Sequence, residues 1–169
     1  MQEKERTRTF SWQDPLIALS ESRKMSGMEY LGAVIRGELP MPPFMMSLGL
    51  DQITPQIGPG KVVFFLEAQE YHYNGIGSVH GGVISTLLDS AMACTVQSML
   101  PAAVSFITLE LKVTFLRAVK KDTGIVRAEG AMLSLGRTVA SAEGHMLDTE
   151  GRLYAHATTT CLIQQPPSR

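Results

Sequence analysis

Cysteine is scarce in this chain. Its 169 residues include two, Cys94 and Cys161, set far apart. No CxxC pair exists, which excludes a zinc ribbon and a redox dithiol, and a disulfide framework is not expected from two cysteines. A surplus of one charge is also missing. Fifteen Lys and Arg face sixteen Asp and Glu, for a net charge of −1. Binding nucleic acid irrespective of sequence, or adsorbing to an anionic membrane, requires a basic excess. Neither partner is therefore expected. Long hydrophobic runs are absent too. The stretch 81–100 has the length of a membrane span but carries Asp89 among Ser85, Thr86, Ser90, Thr95, Gln97 and Ser98, which argues against a span. The opening MQEKERTRTF alternates charges and leads into no apolar h-region, so no secretory signal is expected. The expectation is a soluble, cytoplasmic protein. Its length suits one domain that buries enough surface to fold without a covalent or metal staple.

Several catalytic signatures are missing. GxSxG, HExxH, GxGxxG and the Walker A loop do not occur. Gly75-Ile76-Gly77 is a fragment of a dinucleotide fingerprint without the βαβ context it needs. The histidines His72, His80, His145 and His156 show no linear metal-ligand spacing, so no metal is expected. His72, His145 and His156 read as strand-surface or core residues.

What is present divides the chain. Residues 1–26 are polar and irregular apart from Trp12 and Leu16–Leu19, and read as a loosely ordered N-terminal extension. Residues 27–163 read as the folded domain and 164–169 as a frayed tail. Met28, Leu31, Val34 and Ile35 predict a short helix stopped by Gly37 and the prolines that follow. Phe44–Leu50 suits a further helical turn. Leu50–Ile57 and Lys61–Ala68 flank Gly58-Pro59-Gly60 and predict a hairpin, with Pro55 confining the first strand to an edge. The spacing of Val83, Ile84, Leu87, Leu88, Ala91, Met92, Thr95, Val96 and Met99 predicts one long buried helix over about 82–99. In Ile107–Leu116, apolar Ile107, Leu109, Leu111, Val113 and Phe115 alternate with Thr108, Glu110, Lys112 and Thr114, a strand period. Gly124–Ser134, Arg137–Asp148 and Arg152–Ile163 follow as an antiparallel meander. The fold class is α+β, a curved antiparallel sheet wrapped around one long central helix.

Chemistry concentrates in Asn74–Thr108. Gly81 and Gly82 stand at the mouth of the long helix. Backbone N–H groups there lack intrahelical partners and sit at the positive end of the helix dipole. They are able to polarise a carbonyl or hold an oxyanion; the alternative is a plain turn with Ser78 as N-cap. Asp89 is the sharper anomaly. A carboxylate inside an apolar helix must be hydrogen-bonded or raise its pKa, unless it lies on a narrow solvated stripe. Eight residues separate it from Gly81, roughly 12 Å of helix. One chain therefore cannot bring both to one ester or thioester bond, which predicts a site shared across a two-fold interface. Cys94 reads as a buried small residue on another face, and Met45, Met46, Met92 and Met99 as candidates for an acyl pocket.

The pattern Asn74-x5-His80-Gly81-Gly82 with Asp89 nine residues after His80 resembles the hotdog-fold acyl-CoA thioesterases. The likeness is to the PaaI-type (phenylacetate-degradation) subfamily and the 4-hydroxybenzoyl-CoA thioesterases. It extends over roughly 28–163, including Leu39–Pro43, Gly136-Arg137-Thr138 and the run Gly151–Ala157. The resemblance implies an acyl-CoA substrate and no cofactor beyond the coenzyme A it carries. It implies a homodimer or dimer of dimers. Asp89 would be nucleophile or general base, and the Gly81 N–H would polarise the carbonyl. Asn74 and His80 would sit near the leaving thiolate or orient the loop, and Thr108 would position water. Asp89 and Thr108 would come from one subunit, with Asn74, His80 and Gly81 from the other. Gly82, Gly136 and Arg137 are the implied substrate-binding residues, with Arg137 toward the CoA phosphates. A non-catalytic acyl-CoA binding module and a dehydratase or hydratase on the same architecture are the alternatives.

Overall fold

The computed structural model describes residues 5–166. Those parts of the expected extension and tail that fall in 1–4 and 167–169 lie outside the described residues. Three short helices come first: α1 (Pro15–Ser22), α2 (Gly27–Ile35) and α3 (Pro43–Leu48). Strands β1 (Gln56–Gly58) and β2 (Lys61–Glu67) precede the long helix α4 (Gly81–Gln97). Then come β3 (Ser105–Phe115), β4 (Ile125–Leu135), β5 (Val139–Asp148) and β6 (Leu153–Gln164). The strands form one antiparallel sheet in the order β1-β2-β4-β5-β6-β3.

Each element has a local cause. In α2, the Ser26 hydroxyl and the Glu29 carboxylate make a reciprocal capping box, with Ser26 N donating to Glu29 Oε2 at 2.8 Å. β1 shrinks to three residues because Pro55 cannot donate to a ladder. The β5–β6 turn is organised by Asp148. Its Oδ1 accepts the N–H groups of Glu150 and Arg152, each at 2.9 Å, and its Oδ2 accepts Arg152 Nε at 2.6 Å. Burial alone would raise the Asp148 pKa, but these donors, Arg152 foremost, hold it below the ordinary carboxylate value.

The expected loosely ordered extension contains α1 instead, started by Asp14, whose Oδ1 accepts Leu16 N at 2.9 Å. Ahead of it, Arg8 docks on the domain. Its guanidinium donates to the Met46 carbonyl at 2.7 Å and to the Ser47 carbonyl, at the negative end of α3. It also lies 4.3 Å from the Tyr71 ring centroid.

The core lies between α4 and the inner face of the sheet. Ile84, Leu87, Leu88, Ala91, Met92 and Val96 form the buried stripe. Helix and sheet approach closely because small residues stand side by side beneath the helix. Gly130 of β4 pairs with Gly144 of β5, which pairs with Ala157 of β6. A Cβ on Gly130 would lie 2.5 Å from the Ala91 carbonyl oxygen. Buried hydroxyls on α4 are satisfied by the helix itself: Thr95 donates to the Ala91 carbonyl at 2.8 Å and Ser90 to that of Thr86 at 2.7 Å. The opposite side of α4, with Ser85, Thr86, Asp89, Ala93 and Gln97, stays half-buried. The expectation of burial on most sides is corrected there.

Candidate active site

Asp89 sits at the middle of α4, on its half-buried side. Thr108 Oγ1 donates to Asp89 Oδ1 at 3.4 Å, a long bond. Strict alternation along the strand would turn Thr108 away from the face that carries Leu111 and Val113. The structure places all three on the inner face. The reason is a β-bulge at Leu109: Thr108 pairs with Cys161 and Glu110 with Thr160, leaving Leu109 extra. The extra residue resets the phase and aims Thr108 at the helix. Partial burial raises the Asp89 pKa above the ordinary aspartate value, and the Thr108 hydroxyl offsets part of that rise. The carboxylate is thus a stronger base than a solvated one.

The helix mouth is built by the preceding loop. Asn74 Oδ1 accepts Ile76 N at 3.0 Å and Ser78 N at 3.2 Å, and Asn74 Nδ2 donates to Ser78 Oγ at 3.1 Å. Gly77 completes the turn at φ +79°, a conformation that favours glycine. Asn74 therefore organises the loop with the polar atoms it has. Ser78 is engaged there and is not the N-cap. That place belongs to His80, whose Nδ1 accepts Gly82 N at 2.9 Å. Gly82 N–H is thereby spent. Gly81 N–H meets no protein acceptor among the described residues. Its Cα faces the Phe115 ring, 3.1 Å from where a Cβ would lie. A cleft of about 350 Å³ opens beside it, lined by Asn74, Ser78, Gly81, Phe115 and Arg117 among others.

Gly136 and Arg137 form the β4–β5 turn, closed by Gly136 N donating to the Val139 carbonyl at 2.8 Å. Arg137 is exposed. The turn neighbours Ile163, which pairs with Phe106, whereas Gly81 lies by Phe115. Nine residues of strand separate those ends, on the order of 30 Å. One chain therefore presents two groups: Asp89 with Thr108, and Asn74, His80, Gly81 and Gly82 at the helix mouth. Gly136 and Arg137 lie beyond the first group, at the far end of the sheet.

Cys94, the four methionines and His72 do not gather in one place. Cys94 lines an apolar cavity of about 100 Å³ beneath α2 and α3, together with Tyr30, Met41, Met45 and Phe64. Burial, and then the Asp89 carboxylate, push its thiol up to about 12. Met45 reaches this cavity. Met92 packs instead under Gly144, Met46 borders the Arg8 contact, and Met99 is exposed. His72 is a core residue. Its Nδ1 accepts Gln69 N at 3.1 Å and its Nε2 lies 2.9 Å from the Leu48 carbonyl, and burial lowers its pKa. Tyr30 and Cys94 were not legible as a pair because the chain brings α2 onto α4 only through tertiary packing.

Known proteins share this fold and part of this sequence. The model of the thioesterase superfamily matches residues 76–155, from the helix mouth into β6. Human acyl-coenzyme A thioesterase 13 is 30% identical over 107 residues, covering 60% of this chain and 72% of that protein. An esterase-named protein of Halobacterium salinarum is 38% identical over 74 residues, and the chain spans about half (47%) of its length. Among solved structures, a phenylacetic acid degradation-related protein of Ralstonia eutropha superposes with a TM-score of 0.69 at 29% identity. It covers 79% of this chain and 98% of its own. A point mutant of the phenylacetic acid degradation protein PaaI from Thermus thermophilus gives 0.63 at 28% identity, covering 72% of this chain and 98% of its own. Six antiparallel strands around one long helix are the hotdog fold, and the chain belongs to the thioesterase superfamily.

Proposed function

We propose that the protein hydrolyses acyl-CoA thioesters to the free acid and coenzyme A, at sites shared between two copies of the chain. The observation that carries this reading is Asp89. It is a half-buried helix carboxylate of raised pKa, hydrogen-bonded by Thr108 across a bulge. In the reaction, Asp89 takes a proton from water as water adds to the thioester carbonyl carbon. The alternative at this carboxylate is direct attack to give an anhydride that water then opens. Either way the oxyanion is held by the Gly81 N–H of the other chain, backed by the α4 dipole. Collapse breaks the carbon–sulfur bond; in the first route the proton held by Asp89 passes to the departing thiolate, and in the second the thiolate leaves as the anion and is protonated from water. The steps need only water and these groups, and coenzyme A enters as part of the substrate.

The second copy is supported by the open edge of the sheet. β3 pairs with β6 on one side only, and Ile107 and Leu109 on it are 49% and 60% exposed. An eleven-residue unpaired edge with these apolar side chains exposed is a template for another strand. Antiparallel pairing of two β3 strands about a two-fold brings one chain's helix mouth toward the other chain's Asp89. It also carries Gly136 and Arg137 to the side where the CoA phosphates would extend. The cavity beneath α2 lies on the Asp89 half of α4 and suits a short apolar acyl end.

The test is thiol release from acetyl-, hexanoyl-, lauroyl-, benzoyl- and phenylacetyl-CoA by wild type and Asp89→Asn. The expected result is turnover by wild type and a kcat loss of about 10²–10⁴ in the variant, with the fold intact. Wild-type turnover in Asp89→Asn would overturn the assignment. Saturable binding without turnover by wild type would favour the non-catalytic module.

A further inference from the structure

The outer face of the sheet, away from α4, carries a side-chain cluster that thioester hydrolysis does not use. Residues alternate along β5, so that Ala140, Ala142, Gly144 and Met146 face the core while Glu143 and His145 face outward. His145 stands directly opposite His156 of β6, with ring centroids 4.9 Å apart. Glu143 is two residues back on the same face, its Oε2 3.8 Å from His156 Nε2. One ligand atom from each of the three lies within 4.8 Å of the others. Among the described residues no hydrogen bond engages either imidazole or the Glu143 carboxylate, and 3.8 Å is too long to be one. Apart from the long Glu143–His156 ion-pair contact, their ligand atoms are engaged by none of the described residues.

We propose that Glu143, His145 and His156 bind one late first-row divalent ion, Zn²⁺ being the type case. Same-face positions on a strand are roughly 7 Å apart and directly opposed positions about 5 Å. A His or Glu side chain is long enough to reach a common point above such a triangle. Only side-chain torsions, free at half-exposed positions, must close the donors to bonding distance, because adjacent paired strands hold the backbones fixed. Two imidazole nitrogens and one carboxylate oxygen suit zinc, nickel or copper. Magnesium and calcium prefer all-oxygen sites. The neighbouring carboxylate, Glu129, stands opposite His145 but is paired to Arg127 at 2.6 Å, which leaves three protein ligands and solvent for the remaining positions. The site lies across the sheet from Asp89, so the ion binds independently of hydrolysis.

The experiment is titration of the chelator-stripped full chain with ZnCl₂ by calorimetry, MgCl₂ serving as control. His145→Gln, His156→Gln and the double variant are titrated alongside. Expected are one saturable Zn²⁺ per chain, a loss of affinity of roughly tenfold or more in each single variant, and no binding in the double variant. Unchanged thioester turnover in the single variants would confirm separation from the hydrolytic site. Co²⁺ loading gives a second reading that does not depend on the variants folding: weak visible bands of nitrogen and oxygen ligation are expected. A strong thiolate charge-transfer band would place the ion on Cys94 or Cys161 and overturn the proposal. So would absence of saturable Zn²⁺ binding to wild type, or undiminished binding by the double variant.

Discussion

Asp89 and Thr108 differ in how far the residues themselves announce them. Asp89 stands out because an ionisable group interrupts a stripe that periodicity assigns to the core, and burial does raise its pKa. Thr108 is hidden by its own strand. Alternation assigns it to the face opposite Leu111, and only the bulge at Leu109 turns it inward. Nothing in the apolar–polar pattern marks that extra residue. His145 and His156 are hidden for a related reason. Linear spacing shows no ligand pair, because β5–β6 register, not sequence distance, puts them face to face. The Asp89–Thr108 bond has a pH consequence. A base works as the carboxylate, so activity falls as pH drops through its pKa. The wild-type acid limb of kcat/KM is therefore expected above the ordinary aspartate value. Thr108→Val removes the hydroxyl donor that lowers this pKa. The acid limb should move to higher pH, with a plateau loss of about tenfold, the worth of one hydrogen bond to a charged group. A pH–rate profile of the two proteins measures both. An acid limb that stays in place would show that Thr108 does not act through Asp89.

Elements were largely readable, and their arrangement less so. Period 3.6 over 83–99 and period 2 over 107–116 located α4 and β3 to within a residue or two. The meander of β4, β5 and β6 followed from turns separating adjacent strands. The placement of β3 beside β6 at the sheet edge did not follow, because local patterns specify strands but not the order of non-consecutive ones. The closeness of helix to sheet was equally silent. It depends on Gly130 and Gly144 becoming neighbours under α4, and each looks like an ordinary strand glycine in the sequence. Gly130 gives the element-scale prediction. A Cβ there meets Ala91 backbone and the Thr95 hydroxyl at 2.5 and 2.6 Å, neither a flexible chain end. Gly130→Ala must push α4 off β4 and should cost about 1–3 kcal/mol, as overpacking does. Denaturant unfolding reads this directly. Since α4 carries both Gly81 and Asp89, turnover should fall as well. Wild-type stability in this variant would mean that the sheet yields more easily than its paired strands suggest.

At the scale of the molecule, the separation along α4 governs everything else. Gly81 and Asp89 lie eight residues apart on one straight element, roughly 12 Å by helical rise, and no side-chain motion closes that distance. The proposed chemistry therefore requires two chains, and two inactive variants can test it. Asp89→Asn removes the base. Gly81→Pro removes the polarising N–H and keeps the helix, because proline is favoured at the first helical position and His80 already holds the extended conformation (φ −62°, ψ 138°) that precedes one, while the exposed Phe115 ring must swing aside to admit the proline ring. Each variant alone should be nearly inactive, Gly81→Pro by about 10²–10³. Mixed and allowed to exchange subunits, equal amounts should form half heterodimers. In each of these, one site receives both defects and the other receives neither. Specific activity should then rise to about one quarter of wild type, as two-fold symmetry dictates. Recovery on mixing, followed over time by thiol release, is the signature of a site built from two copies. If activity stays at the level of the separate variants while the mixture demonstrably exchanges, then Asp89 and Gly81 serve within one chain, and the catalytic geometry would have to be rebuilt around a single helix.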